Sequence, residues 1–451
     1  MDTLLTWISD KRPPVLFYNR IEKHTAMFTF FNSELFDFEL TRILGCTSAG
    51  GCDIAEFLSA VGKIRKHDAE SWFAAWSEQG DRAQRIGVEA FEAGFRGLAR
   101  NSFLRAANYY RAAPYMLPVN DSRIVLFAEK SVRIFERATG LMDGEVISVE
   151  IPYEKEVDLP GYLYLPPTSA KRSGRTPVVI NLGGADSTKE ELYFFSGAIG
   201  PQLGYAVMTF DGPGQGVLVR KHGIPLRPDF EVCSCNALDY LALLSSSRPD
   251  LELDLNNIGI VGGSTGGYFA LRTATDPRIK ACVAIDPFFS LWELALTRVP
   301  KGYIKLWQDG WVSDGLFDYM ADLHSKYNFP TRWEGAMGKQ TMGVKTTTAM
   351  LRRFQQFSLV TEKEGRILDN VKCPVFLTGP GAGRDMYSSA DESTFKIHRL
   401  LTNVSEHNKE IWVPTDVAEG GLTAKVGAWA LLAQKCFQFL DKHLQVDRKS
   451  L

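Results

Sequence analysis

The feature that most constrains the fold is the stretch "NNIGIVGGSTGGYFALRTA", residues 256–274. A short apolar run leads into Gly262–Gly266, which reads G-x-S-x-G, and an alanine-containing helical pattern follows. Glycines on both sides of Ser264 allow a tight, strained turn between a strand and a helix. Such a turn places the Ser264 hydroxyl at the carboxyl end of a buried strand and aims the Thr265 N–H at negative charge developing nearby. The pattern predicts a nucleophile at Ser264, which needs a base to attack at neutral pH.

The chain around this turn alternates short apolar segments with helical patterns. The apolar segments are "TPVVINLGG", "GYAVMTFDG", "KACVAIDP", "CPVFLTG" and "KEIWVP". Apolar strands that alternate with helices are typical of a mostly parallel, doubly wound sheet with helices on both faces. We therefore predict an α/β core formed by residues 146–287 and residues 365–451.

Two helical regions are predicted outside this core. Residues 1–145 have apolar residues at three- and four-residue spacing, which predicts an N-terminal helical cap domain. Residues 288–364 are helical and rich in large aromatics, and an insertion between core strands lies over the strand ends where ligands bind. We predict that this insertion is a lid whose Trp292, Trp307 and Trp311 line an apolar substrate pocket. The alternative is a structural insertion that packs on the N-terminal lobe.

Composition excludes several classes of partner. The chain has 51 basic and 53 acidic residues, so it offers no basic field for nucleic acid or an anionic membrane surface. Its N-terminus lacks the pattern of a signal peptide, and no window approaches the roughly 18 apolar residues of a spanning helix. The seven cysteines are scattered, which fits reduced thiols. We expect a cytoplasmic protein that binds neither nucleic acid nor membrane.

No cofactor or metal motif is present in the sequence. The segment "DGPGQG", residues 211–216, lacks the Lys-Ser/Thr pair of a phosphate loop and the spacing of a dinucleotide site. We interpret its Asp211 as a hydrogen-bond acceptor that shapes the loop. Cys233 and Cys235 have no nearby partners for zinc. A second oxyanion donor is expected after "PVVINLGG", from the backbone N–H of Gly184 or Ala185.

Several stretches together resemble the α/β-hydrolase superfamily. They are "LRAANYYRAAPYML", "LPGYLYLPP", "GGADSTKEEL", "GYAVMTFDGPGQG", "GIVGGSTGGYFALRTA" and "CPVFLTG". Within it, the chain resembles fungal pigment-pathway enzymes that shorten polyketides, pseudooxynicotine carbon–carbon hydrolases and fermentation-respiration switch (FrsA-like) proteins. The resemblance implies a helical cap on an α/β-hydrolase core, and a Ser/Asp/His triad acting on ketones or esters of polyketide-like substrates. It also implies a homodimer.

In this fold the acid follows the serine in the chain. The loop after "CPVFLTG" reads "PGAGRDMYSSADES", so Asp385 is the best match for the acid and Asp391 a weaker one. Asp286, after the preceding strand, is an alternative acid and a candidate for the substrate pocket.

The histidine is expected in the loop after "KEIWVP", which reads "TDVAEGGLTAKVGA" and contains none. Aligned with the related families on "KVGA", the histidine position falls on Thr423, so the predicted triad is incomplete. Glu419 or Asp416 in this loop, and His24 or His324 in the helical regions, are the alternative bases, and Glu419 is also placed in the pocket.

The missing histidine bears on the reaction. Removing the base of a serine triad lowers turnover by a factor on the order of 10⁶. The oxyanion hole and substrate binding still accelerate the reaction by a factor on the order of 10³–10⁴ over the uncatalysed reaction in water. The favoured hypothesis is therefore a non-hydrolytic cyclase, lyase or isomerase of secondary metabolism acting on an apolar, carbonyl-bearing intermediate. The alternatives are a carbon–carbon or ester hydrolase with a relocated base, and a non-catalytic binding protein.

Overall fold

The computed structural model describes residues 28–154, 157–383 and 391–448. The predicted acid Asp385 and the alternative base His24 lie outside the described residues. No helix within the described ranges is long and apolar enough to span a bilayer. All seven cysteines are unpaired.

Among the described residues, five α-helices precede the sheet: α1 (Glu34–Gly45), α2 (Ile54–Val61), α3 (Ala69–Glu92), α4 (Arg96–Ala112) and α5 (Arg123–Thr139).

Glycines let α3 and α4 approach closely. A methyl group on Gly80 would lie 2.4 Å from the Tyr110 ring, and one on Gly87 would lie 2.6 Å from the Phe103 ring. No side chain larger than hydrogen fits at either position, so these two contacts set how near the helices pack.

The sheet has eight strands: β1 (Val146–Pro152), β2 (Asp158–Tyr164), β3 (Thr176–Leu182), β4 (Ala206–Phe210), β5 (Leu253–Gly263), β6 (Ile279–Ile285), β9 (Val375–Thr378) and β10 (Lys409–Trp412). Their spatial order is β1-β2-β4-β3-β5-β6-β9-β10, and β7 (Val360–Thr361) and β8 (Gly365–Arg366) form a separate hairpin. The β1–β2 and β2–β4 pairs are antiparallel, while every later neighbour is parallel. The predicted mostly parallel sheet is therefore confirmed.

Helices α6 (Gly216–Arg220), α7 (Glu231–Ser247), α8 (Thr265–Thr273), α14 (Asp391–Leu400) and α15 (Trp429–His443) complete the core. Alternate strand residues enter two different apolar clusters, as a sheet covered on both faces requires. The cluster shared with α15 and the helices before the sheet includes Val179, Val207, Val261 and Val283. The cluster shared with α7, α8 and α14 includes Val178, Ile180, Met208 and Ile260.

The aromatic insertion consists of α9 (Leu291–Leu296), α10 (Lys301–Gln308), α11 (Asp314–Tyr327), α12 (Phe329–Met342) and α13 (Thr347–Phe354). It has a small core of its own, formed by Ile304, Trp307, Phe317 and Leu351. It also contacts the helices before the sheet, because the Trp333 indole N–H donates to the Tyr115 carbonyl over 2.7 Å. The packing on the N-terminal lobe that we considered as an alternative is thus present. The domain boundaries stay predictions.

The three tryptophans predicted to line a pocket lie in the aromatic insertion. Trp307 packs within the insertion's own core, with its indole N–H donating to Asp314 over 2.9 Å. Trp292 packs against it at 6.5 Å between ring centroids, and Trp311 is 80% exposed. That these tryptophans line a substrate pocket stays a prediction.

Candidate active site

The turn at Ser264 joins β5 to α8 at the carboxyl end of the sheet. Ser264 has φ 55° and ψ −118°, a strained conformation for a residue with a side chain. Its N–H donates to the Ile285 carbonyl over 2.8 Å, and its own carbonyl accepts from Gly267 and Tyr268. These bonds tie the turn to β6 and to the first turn of α8, so the strain is held by the surrounding fold.

The glycines of the turn are required by close backbone contacts. A methyl group on Gly266 would lie 2.3 Å from the Leu182 carbonyl oxygen, and one on Gly262 would lie 2.1 Å from the Gly266 carbonyl oxygen. The close approach brings the end of β3, and the loop after it, against the Ser264 turn. The predicted oxyanion loop and the predicted nucleophile are therefore neighbours.

Gln215 orients the oxyanion loop, and the sequence analysis did not single it out. Its side-chain amide N–H groups donate to the carbonyls of Gly183 and Gly184 over 2.7 and 2.8 Å. Its amide oxygen accepts the Gly212 N–H over 2.8 Å. Because a trans peptide points its C=O and N–H in opposite directions, the Gly184 carbonyl bond turns the Ala185 N–H away from Gln215. The "DGPGQG" segment thus orients the predicted donor.

The two predicted donors of this loop differ in availability. The Gly184 N–H donates to the Ser187 hydroxyl over 3.1 Å. The N–H groups of Ala185 and Thr265 have no acceptor among the described residues. The N–H groups of Ala185 and Thr265 are therefore the two that remain available as the predicted oxyanion donors.

A buried ion pair holds the loop after β10, in which the sequence predicts the missing histidine position. The Lys425 ammonium donates to Asp286 Oδ1 over 2.7 Å and to the Gly379 carbonyl over 2.9 Å. Both Lys425 and Asp286 have fully buried side chains. The Ala424 N–H donates to Asp286 Oδ2 over 2.7 Å, and the Thr378 hydroxyl donates to Oδ1 over 2.5 Å.

The Lys425–Asp286 ion pair shows how two of the predicted site residues are placed. Both carboxylate oxygens of Asp286 accept hydrogen bonds from protein donors, and its side chain has no exposed surface. Asp286 therefore presents no free oxygen to a substrate. Thr423, the position aligned with the histidine, is buried in the same turn as Lys425. Lys425 was missed by the sequence analysis, although it stands two residues after Thr423 in "TAKVGA".

No base is seen beside the Ser264 hydroxyl within the described ranges. None of the described side chains makes a hydrogen bond to its Oγ. His67 contacts the Ser33 hydroxyl and stacks on Phe329. His398 and His443 lie on α14 and α15, and Glu419 is exposed.

A buried network joins α1 to the oxyanion loop. The Arg42 guanidinium donates to both oxygens of Glu191, over 2.6 and 2.5 Å, and to Asp186 Oδ2 over 2.5 Å. The Tyr115 hydroxyl also donates to Asp186 Oδ2, over 2.6 Å. Glu39 lies 3.2 Å from Arg42. The loop that carries the oxyanion donors is therefore anchored by charged groups of the N-terminal helices.

Burial and charge shift the pKa of two carboxyl groups in this network in opposite directions. Burial raises the pKa of Asp186, but the Arg42 charge and the Tyr115 hydroxyl outweigh it and bring the pKa down to about 2. For Glu39, burial outweighs the same arginine and raises the pKa to about 7. Asp186 is thus a carboxylate at neutral pH, while Glu39 titrates there.

Comparison with known proteins agrees with this architecture. The profile of the FrsA-like esterases matches residues 48–309. The α/β-hydrolase xenA of Xenoacremonium sinensis is 62% identical over 94% of this chain and all of its own length. The hydrolyase ccsE of Aspergillus clavatus is 43% identical over 94% of this chain and 99% of its own length. The crystal structure of 2,6-dihydroxy-pseudo-oxynicotine hydrolase superposes with a TM-score of 0.66 at 20% identity, covering 89% of this chain and 95% of that one.

Proposed function

The chain belongs to the FrsA-like esterase family of α/β-hydrolases, and we propose that it catalyses a non-hydrolytic reaction. The reaction is a ring closure, a cleavage by a lyase or an isomerisation of an apolar, carbonyl-bearing intermediate of fungal secondary metabolism. One observation carries the proposal. The loop that usually brings a histidine to the serine is held by the buried Lys425–Asp286 pair and has Thr423 at the aligned position.

The remaining groups suit a reaction in which charge builds on a carbonyl oxygen. The N–H groups of Thr265 and Ala185 have no acceptor in the part of the chain that the structure describes, and the Ser264 hydroxyl is a third donor at the same turn. Donors that are already oriented stabilise an enolate or alkoxide oxygen without reorganising. Ser264 donates a hydrogen bond in this scheme and forms no covalent adduct.

The absence of a strong base beside Ser264 among the described residues favours substrates that enolise easily. Asp186 has a pKa of about 2 and is therefore a weak base at neutral pH. A 1,3-dicarbonyl compound loses a proton from the carbon between its carbonyls far more readily than a simple ketone does. When the protein holds the two ends of such a substrate together, proximity lowers the barrier to an intramolecular aldol-type ring closure.

The second candidate is hydrolysis of a carbon–carbon or ester bond with a relocated base. The strained conformation of Ser264 favours it, because a serine on such a strand-to-helix turn is the arrangement of nucleophilic hydrolases. Relatives at 61–62% identity are also named α/β-hydrolases.

Two measurements separate the candidates. A fluorophosphonate probe labels Ser264 only if the serine is an activated nucleophile. We expect the wild type to label no more than the Ser264→Ala variant, and strong labelling of the wild type alone would favour the hydrolase. Mass spectrometry of extracts from the producing fungus, incubated with the protein, gives the reaction class. An unchanged mass or the loss of water indicates isomerisation or cyclisation, a gain of water indicates hydrolysis, and no product indicates a binding protein.

A further inference from the structure

The two carboxylate oxygens of Asp186 differ in their hydrogen bonds. Oδ2 accepts hydrogen bonds from Arg42 and from the Tyr115 hydroxyl, over 2.5 and 2.6 Å. Oδ1 accepts no hydrogen bond from any other described residue, and the further donor at this carboxylate is the backbone N–H of Asp186 itself. Lone pairs of Oδ1 therefore remain for a donor on a ligand.

Asp186 Oδ1 lies on the loop that packs against the Ser264 turn. A methyl group placed on Gly184 would lie 3.5 Å from the Gly263 carbonyl oxygen and 3.7 Å from Asp186 Oδ1. Both oxygens therefore neighbour the same backbone position, and Gly263 directly precedes Ser264. Asp186 also directly follows Ala185, whose N–H is the oxyanion donor of this loop.

Part of the Asp186 side chain is open to solvent, since 34% of its surface is accessible. Ser264 and Ala185 are likewise half-buried, so none of the three residues is sealed off from a small molecule.

We propose that Asp186 Oδ1 accepts a hydrogen bond from an N–H or O–H group of the substrate while the substrate carbonyl oxygen occupies the Thr265 and Ala185 N–H groups. This inference rests on the proposed function, since it assumes that a carbonyl compound binds there. A carboxylate only accepts hydrogen bonds, so a substrate ether or ester oxygen at this place is repelled. The substrate class is thus a carbonyl compound with a hydrogen-bond donor a few bonds from the carbonyl, such as a β-ketoamide or a β-hydroxyketone.

Three matched ligands test the substrate class by calorimetry on the full chain at pH 7. N-decylacetoacetamide has the N–H, 4-hydroxytetradecan-2-one has the O–H, and decyl acetoacetate has neither. We expect the wild type to bind the amide or the hydroxyketone about tenfold more tightly than the ester. The ligand whose affinity exceeds that of the ester by the larger factor shows whether an N–H or an O–H is the natural donor. Equal binding of all three would overturn the inference.

Asp186→Asn tests the residue. Arg42 and Tyr115 both donate to Oδ2, so the amide oxygen of the variant must face them and its NH₂ group must face the ligand. We expect the preference to vanish or reverse while the ester binds at least as tightly as it does to the wild type, which also shows that the variant is folded. A preference that survives in Asp186→Asn would overturn the assignment.

Tyr115→Phe is the matched control and does not depend on the folding of Asp186→Asn. It removes one donor to Oδ2 but keeps the carboxylate and the remaining lone pairs of Oδ1. We expect the wild-type preference to persist in it, and its loss would overturn the inference by placing the selectivity on the tyrosine. Failure of all three ligands to bind the wild type would instead contradict the proposed function.

Discussion

The Lys425 ammonium lies 2.7 Å from Asp286 Oδ1, and neither side chain has any exposed surface. The two residues connect the loop after β10 to the end of β6, on either side of β9. A buried pair of this kind owes its geometry to full hydrogen bonding, here from Thr378 and the Ala424 N–H as well. The Lys425–Asp286 pair thus fixes the conformation of the loop after β10, in which a catalytic base was expected.

Lys425→Met is expected to lower the free energy of unfolding by about 3–5 kcal/mol, because it leaves a buried carboxylate without its counter-ion. Urea denaturation followed by circular dichroism measures the change. The double variant Lys425→Met/Asp286→Asn removes both charges and should recover most of the loss. A cost below about 1 kcal/mol for the single variant would contradict a tight buried pair.

Ser264→Gly and Ser264→Ala should differ in stability although both remove the hydroxyl. Glycine adopts a positive φ without strain, whereas alanine keeps the strain of the serine. We expect the glycine variant to be more stable than the alanine variant by about 1–2 kcal/mol. Thermal unfolding of the two proteins side by side is the measurement, and equal midpoints would mean that the turn is not strained.

Gln215→Ala should lower turnover by about 10²–10³ with little change in KM, because the Ala185 N–H would no longer be held toward the reacting oxygen. Steady-state kinetics on the substrate identified by mass spectrometry measures this. Ser187→Ala is the matched control, since it removes only the acceptor of the Gly184 N–H, which is not one of the two N–H groups proposed as oxyanion donors. If both variants lose activity to the same extent, Gln215 does not act through Ala185.

Glu39 should make the protein less stable as the pH rises through the neutral range. Its pKa in the folded state is about 7, above the value of 4.5 expected when unfolded, so the folded state binds the proton more tightly. Stability from this group is fully present below about pH 4.5 and is lost as the pH approaches and passes 7. Denaturation at pH 5 and pH 8 should show the fall in the wild type, and Glu39→Gln should flatten it.

Asp186 has the opposite dependence and supplies an internal comparison. Its pKa is lowered from 3.8 to about 2, so its contribution is present above about pH 4 and is lost as the pH falls toward 2. The Glu39→Gln variant should still lose stability as the pH falls below about 4. If this variant lost both the acid and the neutral pH dependence, the Arg42 network as a whole would have been disrupted.

Local patterns predicted the architecture well because they depend on neighbours in sequence. The strand, the G-x-S-x-G turn and the helix at Ser264 follow one another within nineteen residues, and the structure has β5, the turn and α8 there. The aromatic insertion was predicted as helical for the same reason. The role of its tryptophans stays a prediction, because periodicity cannot say whether an aromatic face packs inward on its own helices, as Trp307 does, or toward a ligand.

The sequence by itself determined two things about the site: the turn that presents Ser264, and the lack of a histidine in the last loop. Both follow from residues adjacent in the chain. Only the tertiary structure decided what replaces the histidine and what anchors the oxyanion loop. Lys425 meets Asp286 across 139 residues, and Arg42 meets Asp186 across 144. Charges this far apart pair only where the folded chain buries them together, since the desolvation that makes each pairing necessary exists only in the folded state.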